Sequence, residues 1–294
     1  MDTQVVIMAG GVGSRLYPLS TPEHPKQFID ILGCGETLIQ MTVRRFLPVC
    51  EPSDFWVVTG ERYAKFVKEQ LPHIPEDQIL LEPEGRNTAP CIAYASWKIR
   101  QKHPQANIVV TPSDALVLET ERFTGVIRQA LDFTEESGAI VTVGIAPTRP
   151  ETGYGYIQAT EARRGEIVKV AAFKEKPDAQ TASTYIADGH YFWNAGIFVW
   201  NVDTIIKEIR AHAPQIAGIM DLLSPALYGE SEQEELRRLF PQCEKISIDY
   251  AVMEKSASIH MIADDLGWSD LGSWGEVFRH AAPSIKEKYS EYSK

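Results

Sequence analysis

Near its start the chain reads Met8-Ala9-Gly10-Gly11-Val12-Gly13-Ser14-Arg15-Leu16-Tyr17-Pro18-Leu19, and a few residues later Pro25-Lys26-Gln27. The apolar run Val5-Val6-Ile7 ahead of it has the character of a buried strand. Glycines directly after a strand leave backbone N–H groups bare, and without Cβ atoms such a loop wraps closely round a polyphosphate. Arg15 adds a planar fork for phosphate oxygens and Lys26 a compact point charge. Together these residues point to nucleotide phosphates. The spacing fits neither Gly-x-x-x-x-Gly-Lys-Ser/Thr nor a dinucleotide fingerprint, whose third small residue is replaced here by Leu16. The plain alternative is an ordinary strand-to-helix turn.

Acidic residues form the second group of candidates. Asp114, in Thr111-Pro112-Ser113-Asp114, follows the apolar Ile108-Val109-Val110 and would point from a strand end into a ligand crevice. Mg²⁺ takes oxygen ligands, usually one or two carboxylates plus substrate phosphates; otherwise Asp114 caps a turn. Asp270 sits between Trp268 and Trp274, which argues for partial enclosure, and an Asp is rarely enclosed unless paired or coordinating. Elsewhere the residues alone leave simpler readings open. Asn87 or Thr88 can be a helix N-cap, Glu175 and Lys176 a solvated charge pair, and Asn194 a turn residue.

Alternating segments would position these groups. Strands are expected over 5–8, 55–58, 79–81, 108–110 and 140–143, with helices over 38–46, 62–70, 88–101 and 123–136 between them. Such alternation means an α/β fold with a parallel sheet covered on both faces, and ligands bind outside the carboxyl ends of its strands. The flap Pro22–Pro25 would carry Lys26 to the phosphates. Past about residue 145 glycines interleave with tyrosines (Gly153-Tyr154-Gly155-Tyr156), and a smaller mixed-sheet half is expected. It has one strand over 167–173, a helix over 179–188, and two strand segments within 191–200 split by Asn194-Ala195-Gly196. Helices follow over 204–211, 215–222 and 232–239. Ser247–Lys255 reads as a helix start with a scaffolding role, Asp249 lying near its N-terminus. Ser273 caps a last helix over 275–281, and the polar tail is expected to fray.

The composition narrows the function. With 29 Lys and Arg against 40 Asp and Glu the net charge is −11, which argues against nucleic acid or anionic membrane as a partner. No apolar run approaches the roughly 18 residues of a membrane span. Met-Asp-Thr-Gln leads directly into a strand without the layout of a signal peptide, so a cytoplasmic protein is expected. The 4 cysteines are scattered and read as reduced thiols, and the 7 histidines form no ligand pair.

The Gly-Gly-x-Gly-Ser-Arg-Leu-x-Pro-Leu stretch followed by Pro-Lys-Gln-Phe resembles the sugar-phosphate nucleotidylyltransferases, and within them the guanylyltransferase branch that uses mannose 1-phosphate. The likeness recurs in Arg86-Asn87-Thr88-Ala89-Pro90, Pro112-Ser113-Asp114, Glu175-Lys176-Pro177, Ser247–Lys255 and Ser269-Asp270. It implies a Rossmann-like, GT-A-like nucleotidyltransferase domain over 1–282, with a nucleotide-binding half to about 145, a sugar-binding half after it, and a tail over 283–294. It also implies GTP and mannose 1-phosphate as substrates, GDP-mannose as product and Mg²⁺ as cofactor, held by Asp114 and Asp270. Arg15, Lys26, Asp114 and Asp270 would serve catalysis. Ala9, Gly10, Gly11, Gly13, Ser14, Glu84, Arg86, Asn87, Thr88, Ala89 and Ser113 would join them around the nucleotide. Tyr154, Gly155, Glu175, Lys176, Asn194 and Asp270 would meet the sugar phosphate. A homodimer is compatible with the family, whereas the further C-terminal modules of some relatives, including a phosphomannose isomerase module, are not expected here. The alternatives are another sugar 1-phosphate or nucleoside triphosphate, or a non-catalytic regulatory relative.

Overall fold

In the computed structural model, residues 2–11, 13–159 and 163–292 are described; Val12 of the glycine loop and Ser293 and Lys294 of the tail lie outside them. The first half runs β1 (Thr3–Met8), α1 (Leu38–Phe46), β2 (Phe55–Gly60), α2 (Ala64–Gln70), β3 (Ile79–Glu82), α3 (Thr88–Lys102), β4 (Asn107–Pro112), β5 (Leu116–Val117), α4 (Thr120–Ser137) and β6 (Ile140–Ile145). The second half adds β7 (Tyr156–Gln158), β8 (Ile167–Lys169), β9 (Ala172–Lys174), α5 (Ala179–Asp188), β10 (Tyr191–Asn201), α6 (Val202–His212), α7 (Pro214–Leu223) and α8 (Glu232–Leu239). It ends with β11 (Ile259–Ala263), β12 (Trp268–Ser269), α9 (Trp274–His280) and α10 (Pro283–Lys288).

The main sheet has the order β3-β2-β1-β4-β10-β6-β11-β8, with β7 beside β10 and β9 beside β7. β1 to β4 are mutually parallel, β10 runs antiparallel to β4 and β6, and β11 is parallel to β6. This is the expected α/β fold with a parallel-dominated mixed sheet. The two-residue period of a strand sorts its side chains onto opposite faces. Val5 and Ile7 of β1 pack with Ile39, Val67 and Phe123 of α1, α2 and α4, while Val6 packs with residues of α3, α6, α7 and α8. With both faces covered by helices, the strand ends are the parts of the sheet that remain open to a ligand.

Three expectations about the second half need correction. The stretch 167–173 is two strands, because the chain changes partner: Val170 N donates to Ile259 O at 3.0 Å, and Ala171 N to Gln158 O at 2.8 Å. The segment around Asn194-Ala195-Gly196 does not split its strand. β10 runs through it, and Gly196 at φ +71° absorbs a bulge in the pairing with β6. The tail is not frayed as far as Tyr292: α10 and a 3-10 turn, Ser290–Tyr292, fold back on the body. Ile285, Tyr289 and Tyr292 pack on a cluster that includes Leu16, Leu38, Leu116 and Trp274, and the Trp274 and Tyr292 rings stack at 5.3 Å. Their spacing of four and three residues gives one apolar helical face inside a polar run. Truncation after Ala282 should therefore lower the melting temperature by several degrees, about 2–4 °C for each kcal/mol lost. An unchanged thermal melt would mean that this packing contributes nothing.

Candidate active site

β1 delivers the glycine loop to the carboxyl edge of the sheet. Ala9 N donates to Val58 O at 2.8 Å, and the loop then turns through a 3-10 segment, Ser14–Leu16. Gln27 fastens the loop from beneath: its buried amide donates to Ala9 O at 3.1 Å and to Gly11 O at 2.8 Å. Gly13, at φ +65°, has a further reason to lack a side chain, since a Cβ there would meet Lys26 Cγ at 3.0 Å and Ser20 Oγ at 3.1 Å. The lysine stem passes through that space. Ser14 is exposed at the surface of the loop.

Lys26 is 6% exposed. Its Nζ lies 3.0 Å from Asp114 Oδ2 and donates to Asp270 O at 2.6 Å. A buried ammonium requires such partners. The short ribbon of β5 and β12 brings the two aspartates together: Leu116 pairs with Ser269 and Val117 with Trp268, so the residues just before β5 lie beside those just after β12. Asp270 Oδ1 accepts from Tyr154 Oη at 2.6 Å and from Gly272 N at 2.9 Å. Burial and this acceptor raise the Tyr154 hydroxyl pKa well above its usual value. Asp114 and Asp270 line one cavity, and a pair of carboxylates suits a hard divalent cation. Among the described residues no three His, Cys, Asp or Glu gather as a ready-made metal cluster.

The shared cavity measures about 460 Å³. Gly10, Gly11 and Ser113 line it near Asp114, and Asn87 and Thr88 line it at the start of α3. Asn87 caps that helix, its Oδ1 accepting from Thr88 N at 2.9 Å, while Thr88 Oγ1 accepts from Ile248 N at 2.8 Å. Glu84 and Arg86 are outside the cavity wall and pair with each other at 2.6 Å. Ala89 is in the core, and Ala9 is buried with its carbonyl bonded to Gln27 and Thr59. The wall also includes Glu82, which the sequence reading missed. It is the last residue of β3, 6% exposed, and its Oε1 lacks a hydrogen-bond partner among the described residues. Burial pushes its carboxyl up to about 8. The available signal was an acidic residue ending a buried strand on the ligand edge.

Tyr154, Gly155, Glu175, Lys176 and Asn194 line the same cavity, together with Asp249. Tyr154 is wedged between the Trp193 and Trp268 rings at 5.2 and 5.4 Å. The Glu175 side chain is 3% exposed and paired with Lys176, whose backbone takes the left-handed φ of +43°. A Cβ on Gly155 would fall 2.6 Å from Glu175 Oε2, so glycine there makes space for that carboxyl. Asp249 opens a π-helical turn, Asp249–Met253, and lines the cavity wall. Arg15 is placed apart from this group. It lines an adjoining cavity of about 510 Å³ with Arg149, Glu151 and Trp274, and Tyr154 and Asp270 form the partition between the two.

An open α/β sheet whose strand ends hold a glycine loop, a buried lysine and two carboxylates defines a nucleotide-handling protein. The chain belongs to the nucleotidyl transferase family, whose pattern matches residues 4–287. It is 38% identical over 290 residues to a mannose-1-phosphate guanylyltransferase of Escherichia coli (strain K12), covering 94% of this chain and 59% of that protein. It is likewise 38% identical over 282 residues to the xanthan biosynthesis protein XanB of Xanthomonas campestris pv. campestris (strain B100), covering 94% and 59%. The chain therefore spans 59% of the length of these curated relatives. A solved structure described as a mannose-1-phosphate geranyltransferase from Thermus thermophilus superposes with a TM-score of 0.84 at 32% identity, over 95% of this chain and 79% of that one. No helix among the described residues is long and apolar enough to cross a membrane.

The Glu82 carboxyl has a pH signature. Its folded pKa is raised from 4.5 to about 8, so the native state holds a proton that the unfolded state releases. The stability linked to this group is present below about 4.5 and is lost as pH rises to about 8. Glu82→Gln removes that loss. The variant's stability advantage over wild type should grow from pH 5 to pH 8, by an amount on the order of a few kcal/mol. Parallel pH dependences in urea denaturation of the two proteins would contradict the assignment.

Proposed function

We propose that the protein transfers a guanylyl group from GTP to α-D-mannose 1-phosphate, releasing pyrophosphate and GDP-mannose. The observation that carries this reading is that two carboxylates, Asp114 and Asp270, line one cavity and are joined behind its wall by the buried Lys26, which pairs with Asp114 and donates to the Asp270 carbonyl. The cavity wall takes Glu82 and Asn87 from the first half of the chain and Glu175, Asn194 and Asp249 from the second, and the two sets adjoin where Ile248 N donates to Thr88 Oγ1. On this reading residues to about 145 handle the nucleotide, and residues 146–282 handle the sugar.

A phosphate oxygen of the sugar 1-phosphate attacks the α-phosphorus of GTP in line. The bond from that phosphorus to the bridging oxygen breaks, and pyrophosphate leaves with the electron pair. The attacking group is already an anion, so no general base is required. Catalysis then consists of positioning and charge neutralisation. Asp114 and Asp270 would hold Mg²⁺, which when bound supplies positive charge to the crowded phosphates. Lys26 adds a second cation at the same point, and the bare N–H groups of the glycine loop receive the nucleotide phosphates. Arg15 faces the adjoining cavity and is placed for the departing end of the triphosphate.

Glu82 favours guanine. Guanine presents adjacent N1–H and N2–H donors, and an unpartnered carboxyl accepts both, whereas adenine lacks that donor pair. Receiving two donors favours the ionised carboxylate over the acid. The direct test is pyrophosphate release across a grid of nucleoside triphosphates and sugar 1-phosphates. GTP with mannose 1-phosphate should exceed ATP or dTTP in kcat/KM by about two orders of magnitude or more, as expected when a mismatched ligand leaves buried polar groups unpaired. Equal use of ATP would remove the guanine assignment, and no turnover with any pair would remove the reaction. Lys26→Met should lower single-turnover rate roughly hundred-fold or more while GTP affinity changes much less, because stabilisation confined to the transition state acts on the rate. Unchanged turnover would reduce Lys26 to a structural role.

A further inference from the structure

We propose that Asp249 reads the sugar: with Glu175 it forms a carboxyl pair that takes hydroxyl groups of the sugar phosphate, while Asn194 positions it from behind. This rests on the reading of the cavity as a sugar 1-phosphate site. Asn194 cannot turn freely. Its Oδ1 accepts from Thr142 Oγ1 at 3.0 Å and from Gly196 N at 3.0 Å, which orients its Nδ2 to donate to Asp249 Oδ1 at 3.2 Å. The asparagine thus spends three hydrogen bonds on the protein. Asp249 is held on its own side by the π-helical turn and by Thr88, which accepts from the neighbouring Ile248 N. Asp249, Glu175 and Gly155 line the same cavity, and the missing side chain of Gly155 leaves the approach open.

The charges around Asp249 differ from those around Glu175. Glu175 is paired with Lys176, and its backbone N donates to Glu254 Oε1 at 3.1 Å. Asp249 faces the Glu175 carboxylate, with Lys176 as the opposing cation, and its hydrogen bonds come from neutral groups: the Asn194 amide, the Ser247 hydroxyl and its own backbone N–H. Burial first, then Glu175, raises its carboxyl to about 7, and Lys176 only partly offsets this. An anionic sugar phosphate arriving beside the pair favours the neutral acid further, so binding takes up a proton and weakens as pH rises. A neutral carboxyl beside an ionised one offers both a donor and acceptors, which matches hydroxyls that do both.

The test is steady-state kinetics of wild type, Asp249→Asn and Asp249→Ala, with mannose 1-phosphate and its singly deoxygenated analogues as the varied substrate. Asp249→Ala should raise the KM for mannose 1-phosphate about ten- to hundred-fold, as for a lost buried hydrogen-bond partner, with kcat and the KM for GTP little changed. One deoxy analogue should be poor for wild type and no worse than mannose 1-phosphate for Asp249→Ala. The near-isosteric Asp249→Asn should bind the sugar phosphate more nearly normally but lose the wild-type rise in KM between pH 6 and 8. The inference is overturned if Asp249→Ala discriminates among the deoxy analogues as wild type does, or if its kcat falls while the sugar KM stays unchanged. Failure of wild type to use any sugar 1-phosphate would instead bring down the reading of the site itself.

Discussion

The structure around the site depends on one buried ammonium. Lys26 is nearly closed off from water, and it reaches a carboxylate on the loop after β4 and a carbonyl on the loop after β12. An ion in that position is tolerated only when its partners are fixed, since removing one leaves an uncompensated charge. Much of the nearby architecture serves that requirement. Gly13 makes room for the stem, Gln27 ties the glycine loop to the segment that carries the lysine, and the β5–β12 ribbon sets the two loops in register. Tyr154 then pins the Asp270 carboxyl from the cavity side.

The cavity places several acids in differing environments, and those environments separate their chemistry. Asp114 adjoins a cation. Glu82 is buried among apolar neighbours and Asp249 lies against another carboxylate, and both have raised proton affinities. The sheet makes these differences durable. Its interior is packed on both faces, so the groups at the strand ends share a rigid base and remain at fixed separations. The glycine loop, Glu82 and Asp114 follow from the ends of parallel strands, whereas Glu175, Asn194 and Asp249 come from the mixed half. The cavity is therefore lined by residues of both halves of the chain.

Local signals carried much of this into the sequence. The apolar runs marked the parallel strands, the glycines marked the first loop, and Pro-Ser-Asp followed a buried strand as read. What was illegible depends on distant partners. Nothing in 167–173 reveals that its strand changes neighbours halfway along, because both partners lie elsewhere in the chain. Gln27 looks like any polar residue until the carbonyls of Ala9 and Gly11 are placed above it. Glu84 and Arg86 drew attention within a polar loop, yet Glu82 two residues earlier is the acid that faces the cavity. The local sequence of Asp249 does not reveal its neighbours Glu175 and Asn194, which are more than fifty residues away. The polarity of the tail hides the one face formed by Ile285, Tyr289 and Tyr292.

The account turns on Asp114 and Asp270 acting together at the Lys26 junction as the holders of a divalent cation. Titration of the protein with Mn²⁺, followed through the electron paramagnetic resonance signal of the free ion, tests that directly. With GTP present, wild type should bind one Mn²⁺ more tightly than GTP does alone. Asp114→Asn and Asp270→Asn should each weaken that binding about ten-fold or more, since an amide is a poorer ligand than a carboxylate for a hard cation, with thermal melts near that of wild type. Binding of Mn²⁺ and GTP by both variants as tightly as by wild type would contradict the account.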